Sequence, residues 1–302
     1  MTTLYEAAYA KVNLTLDVGS KRPDGYHDVS MLMQSVSLYE TVTVTADPDE
    51  KPAENGEITI TCDREGVPCD SSNIAYKAVK AFFKYTELTH GNIEIDIKKK
   101  IPFGAGLAGG SADGAAVIVL LNKIYDTGMR EKELCLIGER VGADVPFCIV
   151  GGTCHATETG TTLKKLKNLP KCHIVICKPE ISISTAEAYR LADRRSGAQF
   201  SYTKLCIPAL YSGSVRNISD FLHNDFEEVL ALEEINRVKK IMYKQKALGC
   251  AMSGSGSAVF ALFLSKKSAD KCAQKLSETY GEVFVAEPLK YGCEILPEGA
   301  FE

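Results

Sequence analysis

The stretch Ile101-Pro-Phe-Gly-Ala-Gly-Leu-Ala-Gly-Gly-Ser-Ala-Asp113 constrains this chain more than any other part of it. Just before it, Ile93, Ile95 and Ile97 alternate with Glu94, Asp96 and Lys98, the period of a β-strand running up to Ile101. Just after it, Ser111 to Tyr125 is Ala-rich and apolar enough for a buried helix. Glycines at 104, 106, 109 and 110 let backbone N–H groups turn toward one point, and the helix adds the positive end of its dipole. Strand, glycine loop and helix in that order make a seat for an anion, with phosphate the obvious guest. The competing reading, a turn that merely packs helix on strand, leaves unexplained why so many glycines, each costing backbone entropy, crowd one junction.

Two familiar phosphate motifs fit imperfectly. Gly104-Ala-Gly106-Leu-Ala-Gly109 satisfies G-x-G-x-x-G, yet the strand before it carries charges on alternate positions, and no strand with a terminal acid follows about 20 residues on. The P-loop spacing is nearly met by Gly104 to Ser111, but Gly110 stands where the lysine belongs. The phosphates then need a cation from elsewhere in the fold.

The rest of the chain reads as α+β. Val12, Leu14, Leu16 and Val18 alternate with Lys11, Asn13, Thr15 and Asp17, which predicts a half-buried strand, and Arg22-Pro-Asp-Gly25 is a turn. Extended stretches follow over 29–38, 41–45 and 58–61, and the Pro-, Asp- and Glu-rich segment 47–56 reads as a mobile surface loop. Asp70 to Asn73 offers caps for a helix over 74–85. Gly151-Gly152 and the Thr- and Lys-rich stretch behind it predict a boundary between domains 1–160 and 161–302. Beyond it come a strand at 173–177 and a helix with Ser184 at N-cap and Glu187 at N3. A helix with the stripe Ile235, Val238, Ile241, Met242 and Leu248 is closed by Gly249. A hairpin at 253–257, a helix over 268–280 and a last strand at 283–286 complete the pattern.

Composition narrows the partners. In 302 residues, 35 Lys+Arg face 39 Asp+Glu, with no long basic block, so nucleic acid is not an expected partner. The first residues lack a signal peptide's features and the apolar runs are too short for a bilayer, so no membrane partner and a cytoplasmic location are expected. The 11 cysteines are odd in number and scattered without a C-x-x-C pair, which reads as reduced, buried thiols.

Five separated segments resemble the GHMP kinases: Ala10-Lys11-Val12-Asn13-Leu14, Arg22-Pro-Asp-Gly-Tyr26-His27, the glycine loop, Gly142-Ala-Asp144-Val-Pro-Phe147 and Met252-Ser-Gly-Ser-Gly256. The loop matches the family's P-x-x-x-G-L-[GAS]-[GS]-S-[SA] with one extra glycine, and the likeness covers nearly the whole chain. It implies a two-domain fold, an N-terminal α/β domain of the ribosomal-protein type and a C-terminal ferredoxin-like α+β domain. It also implies ATP and Mg2+ as cofactors and an alcohol as acceptor. By resemblance, Pro102, Phe103, Gly104, Ala105, Gly106, Leu107, Ala108, Gly109, Gly110, Ser111 and Ala112 bind ATP, with Asn73 near the adenine. Lys11 corresponds to the family's lysine beside the γ-phosphate, and Asp144 to its proton acceptor, as base or as orienting group. The small-molecule substrate it points to is a cytidine diphosphate-linked methylerythritol, its base held by Tyr26, His27, Thr185 and Tyr189. Asn13, on the same strand face as Lys11, is placed to meet the polyol. Ala112 departs from the family, standing where many members have a second serine, and leaves Ser111 as the loop's one side-chain candidate for the metal.

Each residue has a plainer reading on its own. Lys11 fits the solvent face of a strand, Asp144 and Asn73 fit helix caps, Tyr26 and His27 fit a turn, and Tyr189 fits a core. The run Lys98-Lys99-Lys100 fits a solvated cluster or an attractor for ATP. His90, His155, His173 and His223 show no metal-ligand spacing. Other GHMP substrates (mevalonate, homoserine, a sugar) and a non-catalytic nucleotide sensor remain as alternatives. Gly25-Tyr26-His27 argues against the first, and the presence of both Lys11 and Asp144 against the second. The oligomeric state, monomer or homodimer, is open.

Overall fold

The computed structural model describes residues 1–50, 52, 54–194 and 201–297. Its first half runs β1 (Thr2–Lys21), β2 (His27–Ala46), β3 (Ile58–Cys62), α1 (Ile74–Thr86), β4 (Ile93–Lys98), α2 (Gly109–Ile124), α3 (Glu131–Glu139), α4 (Val145–Val150), β5 (Thr153–Thr157) and β6 (Thr162–Lys165). Then follow β7 (His173–Lys178), α5 (Thr185–Ala192), α6 (Tyr202–Ser212), α7 (Val215–Ser219), β8 (His223–Asn224), α8 (Asp225–Leu230) and α9 (Glu233–Lys244). β9 (Gly249–Met252), β10 (Val259–Phe263), α10 (Lys266–Ser277), β11 (Glu282–Ala286) and β12 (Cys293–Leu296) close the chain.

The strands form two sheets. The larger has the order β12-β1-β2-β4-β3, with β5 added beside β2, β6 beside β5 and β8 beside β1; the smaller has the order β11-β7-β10-β9. The β1–β2 hairpin is the spine. Ala8, Ala10, Val12 and Leu14 of β1 enter a core shared with α1 and α2, whereas Leu16 and Val18 enter a second core shared with the smaller sheet and α9 and α10. One pair of long strands thereby ties both halves together.

In the smaller sheet β9 and β10 are buried on both faces, which is why Val259-Phe-Ala-Leu-Phe263 reads as an unbroken apolar run. Phe260 and Leu262 point into the first core, and Val259, Ala261 and Phe263 into the second. Helix α2 has residues of nearly every side buried, as its alanines and glycines allow. Gly114 is one such close approach: a Cβ there would lie 2.7 Å from Ile74 Cγ2 on α1.

Several expectations need correction. β1 is not half-exposed: every residue from Glu6 to Val18 is buried, because its polar face lies under the second half of the molecule. The stretches 29–38 and 41–45 are one strand, and α2 begins at Gly109, two residues early. Gly249 does not close α9 but opens β9. The sheets also do not divide at 160/161, since β6, β8 and β12 all join the larger one. β12, invisible to the sequence reading, returns after β11 to pair with β1 in the register Glu6↔Ile295. Positions 51 and 53 of the expected loop lie outside the described residues; near its end, Gly56 N donates to His90 O at 2.8 Å and Asn55 Oδ1 accepts from His90 N at 3.0 Å.

Candidate active site

A cleft of ≈ 1400 Å³ runs between the glycine loop, the polar face of β1, the residues before α4, α5 and the β9–β10 hairpin. The loop is anchored by its carbonyls. Lys11 N donates to Leu107 O at 3.1 Å, Ala258 N to Ala105 O at 3.1 Å, and Ser253 Oγ to Gly106 O at 2.9 Å. Gly106 has φ +74, and a Cβ on it would sit 2.0 Å from Ser253 O, so only glycine permits this approach. Ala108 takes the left-handed conformation at φ 61 to start α2 without a side-chain cap. The first-turn amides of Gly109, Gly110 and Ser111 have no partner within the helix, and these residues line the cleft.

Lys11 is 3% exposed and faces the cleft instead of solvent. Its Nζ donates to Asn13 Oδ1 at 2.7 Å and lies 3.5 Å from Asp144 Oδ2. Asp144 occupies the N-cap position of α4 but makes no capping bond; its carboxylate looks to Lys11. The helix-cap reading therefore fails for Asp144. It holds for Asn73, whose Oδ1 accepts from Ala75 N at 2.8 Å while its Nδ2 donates to Pro68 O at 2.6 Å. Asn73 is buried and is not among the residues lining the cleft, and neither is Ala112, which is buried in α2.

The opposite end of the cleft gathers the four residues expected around a base. His27 stacks on Tyr189 with centroids 4.8 Å apart and planes 21° apart, and Tyr189 meets Phe226 edge-on. His27 Nε2 lies 2.6 Å from Asp193 Oδ1. His27 and Lys21 together hold the Asp193 carboxyl below its ordinary range. Tyr26 is 66% exposed at the rim, an aromatic face open to a ligand. Thr185 Oγ1 pairs with Ser255 Oγ at 2.7 Å, bridging α5 to the β9–β10 hairpin.

Sequence reasoning missed the supports of this arrangement. Asn224 Nδ2 donates to both Met252 O and Gly254 O at 2.7 Å, fastening the hairpin, and no local pattern marks it. Asp17 accepts from Ser201 Oγ, Tyr202 N and Thr203 N, seating α6. The Lys run divides three ways: Lys98 pairs with Asp96, Lys100 lies over the Tyr39 ring, and Lys99 is buried between Glu40 and Asp113. All 11 cysteines are free, and burial pushes the thiols of Cys154, Cys172, Cys177, Cys206 and Cys272 up to about 12. They act as small apolar groups.

Comparison with known proteins agrees with this geometry. Residues 73–152 match the GHMP kinases N terminal domain and residues 206–282 the GHMP kinases C terminal domain. The chain is 42% identical over 282 residues, 93% of each chain, to the 4-diphosphocytidyl-2-C-methyl-D-erythritol kinase of Caldicellulosiruptor saccharolyticus. It is 39% identical over 292 residues, 96% of each chain, to the protein of that name from Clostridioides difficile. Among solved structures it is similar to a 4-(cytidine 5'-diphospho)-2C-methyl-D-erythritol kinase, at TM-score 0.77 and 28% identity over 94% of this chain and 99% of that one. A homoserine kinase from Cytophaga hutchinsonii, at TM-score 0.80 and 21% identity over 98% of both chains, shares the fold. With a glycine loop at the start of α2, a buried lysine facing an uncapped aspartate, and both domain matches in order, the chain belongs to the GHMP kinase family.

Proposed function

We propose that this chain is an ATP-dependent kinase that moves the γ-phosphoryl group to the 2-hydroxyl of 4-diphosphocytidyl-2-C-methyl-D-erythritol, in non-mevalonate isoprenoid precursor synthesis. The observation that carries the reading is the meeting of Lys11 and Asp144, 3.5 Å apart, in the cleft that the glycine loop also lines. The name shared by its relatives supports the acceptor. No helix among the described residues is long and apolar enough to cross a membrane, and free thiols, most of them buried, suit a reducing cytoplasm.

Phosphoryl transfer asks for positioning and charge neutralisation. The first-turn amides of α2 receive the terminal phosphates. Lys11, held by Asn13, brings its ammonium to the moving group and replaces the cation missing at Gly110. The substrate oxygen forms its bond to the γ-phosphorus as the bridging bond to ADP breaks, and Asp144 accepts or orients the hydroxyl proton. His27, Tyr26, Tyr189 and Thr185 hold the cytosine, which fixes where the hydroxyl arrives. The donor set suits Mg2+, which takes one or two protein oxygens and otherwise phosphate and water: the Ser111 hydroxyl and the Asp144 carboxylate line the cleft. Bound there, the ion would neutralise phosphate charge.

ADP release by purified protein tests this with the cytidyl alcohol beside mevalonate, homoserine and galactose. Turnover with galactose alone would refute the acceptor, and ATP binding without any turnover would favour a nucleotide sensor. Asp144→Asn should lower kcat roughly 10²–10⁴-fold if the carboxylate takes the proton, and by less than about tenfold if it only orients the hydroxyl. Wild-type kcat in this variant would remove Asp144 from the mechanism.

A further inference from the structure

Lys99, Glu40 and Asp113 form a buried cluster that the chemistry above leaves unused. Lys99 Nζ lies 2.6 Å from Glu40 Oε1 and 2.8 Å from Asp113 Oδ2, and none of the three side chains is more than 4% exposed. Glu40 belongs to β2, Lys99 follows β4, and Asp113 sits one turn into α2. Glu40 Oε1 is 3.4 Å from where a Cβ on Gly109 would be, so the cluster lies directly beneath the first turn of α2. Lys99 and residues 109–111 line the same cleft.

One ammonium stands against two carboxylates. Burial and the neighbouring Asp113 push the Glu40 carboxyl well above its usual range. For Lys99, burial opposes the charged form, but the attraction of Asp113 and Glu40 outweighs it and its ammonium is held above the ordinary value. Glu40 Oε2 and Asp113 Oδ1 have no hydrogen-bond partner among the described residues, so Lys99 is the cation on which both acids depend. A packing device would be served by apolar side chains at less desolvation cost. Three ionisable groups under an anion-binding turn act on the field there.

We propose that Lys99 is a positioning residue for ATP: by offsetting the carboxylate charge held by Glu40 and Asp113 beneath the first turn of α2, it keeps that turn attractive to the nucleotide's phosphates. The inference rests on the glycine loop being the ATP site. An uncompensated carboxylate about 10 Å from the phosphates, at an effective dielectric near 20, weakens ATP binding by roughly tenfold or more. The Lys99 ammonium pairs with Glu40 and Asp113, not with the residues at the His27 end of the cleft.

Calorimetric titration with ATP and with the cytidyl alcohol tests this without requiring turnover. Lys99→Met should raise the Kd for ATP about tenfold and leave that for the cytidyl alcohol unchanged. Adding Asp113→Asn to Lys99→Met removes a negative charge too and should restore the ATP Kd to within about threefold of wild type. A role confined to packing predicts the reverse order, the double variant weaker than the single. That order, or an unchanged ATP Kd in folded Lys99→Met, overturns the inference. If Lys99→Met does not fold, Asp113→Asn and Glu40→Gln carry the test: both should bind ATP at least as tightly as wild type, and a loss of affinity in either overturns it. A wild type that binds ATP yet phosphorylates no alcohol would remove the proposed function and leave the ATP affinities to decide this point.

Discussion

At the scale of single residues, the site depends on polar groups that each have a second polar group behind them. Lys11 is set by Asn13, whose own backbone N donates to Ser253 Oγ at 3.2 Å, so the ammonium is fixed from two elements at once. His27 is set by Asp193 and by the face of Tyr189. Because a histidine's second nitrogen decides what its first can offer, Asp193 governs which hydrogen bond His27 presents to the cleft. Asp193→Ala should therefore raise the KM for the cytidyl alcohol about tenfold while the KM for ATP stays at the wild-type value. Initial rates with one substrate varied at a time measure both. A parallel rise in the two constants would mean that Asp193 only supports the fold.

At the scale of elements, the contact between the glycine loop and the β9–β10 hairpin joins the half of the cleft lined by the loop to the half lined by His27 and Tyr189. Its closeness comes from Gly106, which combines a positive φ with a position hard against Ser253 O. Gly106→Ala meets both obstacles, and no side-chain rotation relieves a clash with a backbone oxygen. It should destabilise the protein by roughly 2–4 kcal/mol and abolish ATP binding at ordinary concentrations. Gly104 provides the control: its φ is +62, but nothing lies within 4 Å of an added Cβ. Gly104→Ala should cost only about 1 kcal/mol, the strain of the left-handed backbone. Urea unfolding of the two variants compares them; equal losses would show that the hairpin contact adds nothing. Asn224 acts from the other side of the same hairpin, bonding two of its carbonyls from the end of β8.

At the scale of the whole molecule, the returning strand β12 seals the larger sheet and in doing so buries Glu6 completely. Burial raises the Glu6 carboxyl well above its ordinary value of 4.5, and neither of its oxygens has a hydrogen-bond partner among the described residues. The folded protein thus holds that proton more tightly than the unfolded chain does. Stability from this group is present below about pH 4.5 and is lost progressively as pH rises toward the folded value, at up to about 1.4 kcal/mol per pH unit. Glu6→Gln keeps the shape without the titration, so it should melt above wild type at pH 8, with a smaller advantage at pH 6. Thermal unfolding across that range checks it, and a variant less stable at both pH values would contradict the assignment. Much of this molecule was legible in the sequence because the relevant signals are local. The strand, loop and helix around 93–125, the Ser184 cap and the hairpin at 253–257 follow from periodicity and turn chemistry, and the family motifs named Lys11, Asp144, His27 and Tyr189 by position. Local pattern could not say which polar groups are buried. Lys11 and Lys99 read as solvent-facing, Asn73 and Asp144 as equal helix caps, and β12 as nothing at all. Whether a side chain meets water or another charge is decided by elements far away in the chain. Asp144 faces Lys11 across 133 positions and Glu6 disappears under a strand some 290 residues later, and only the assembled tertiary structure brings such groups together.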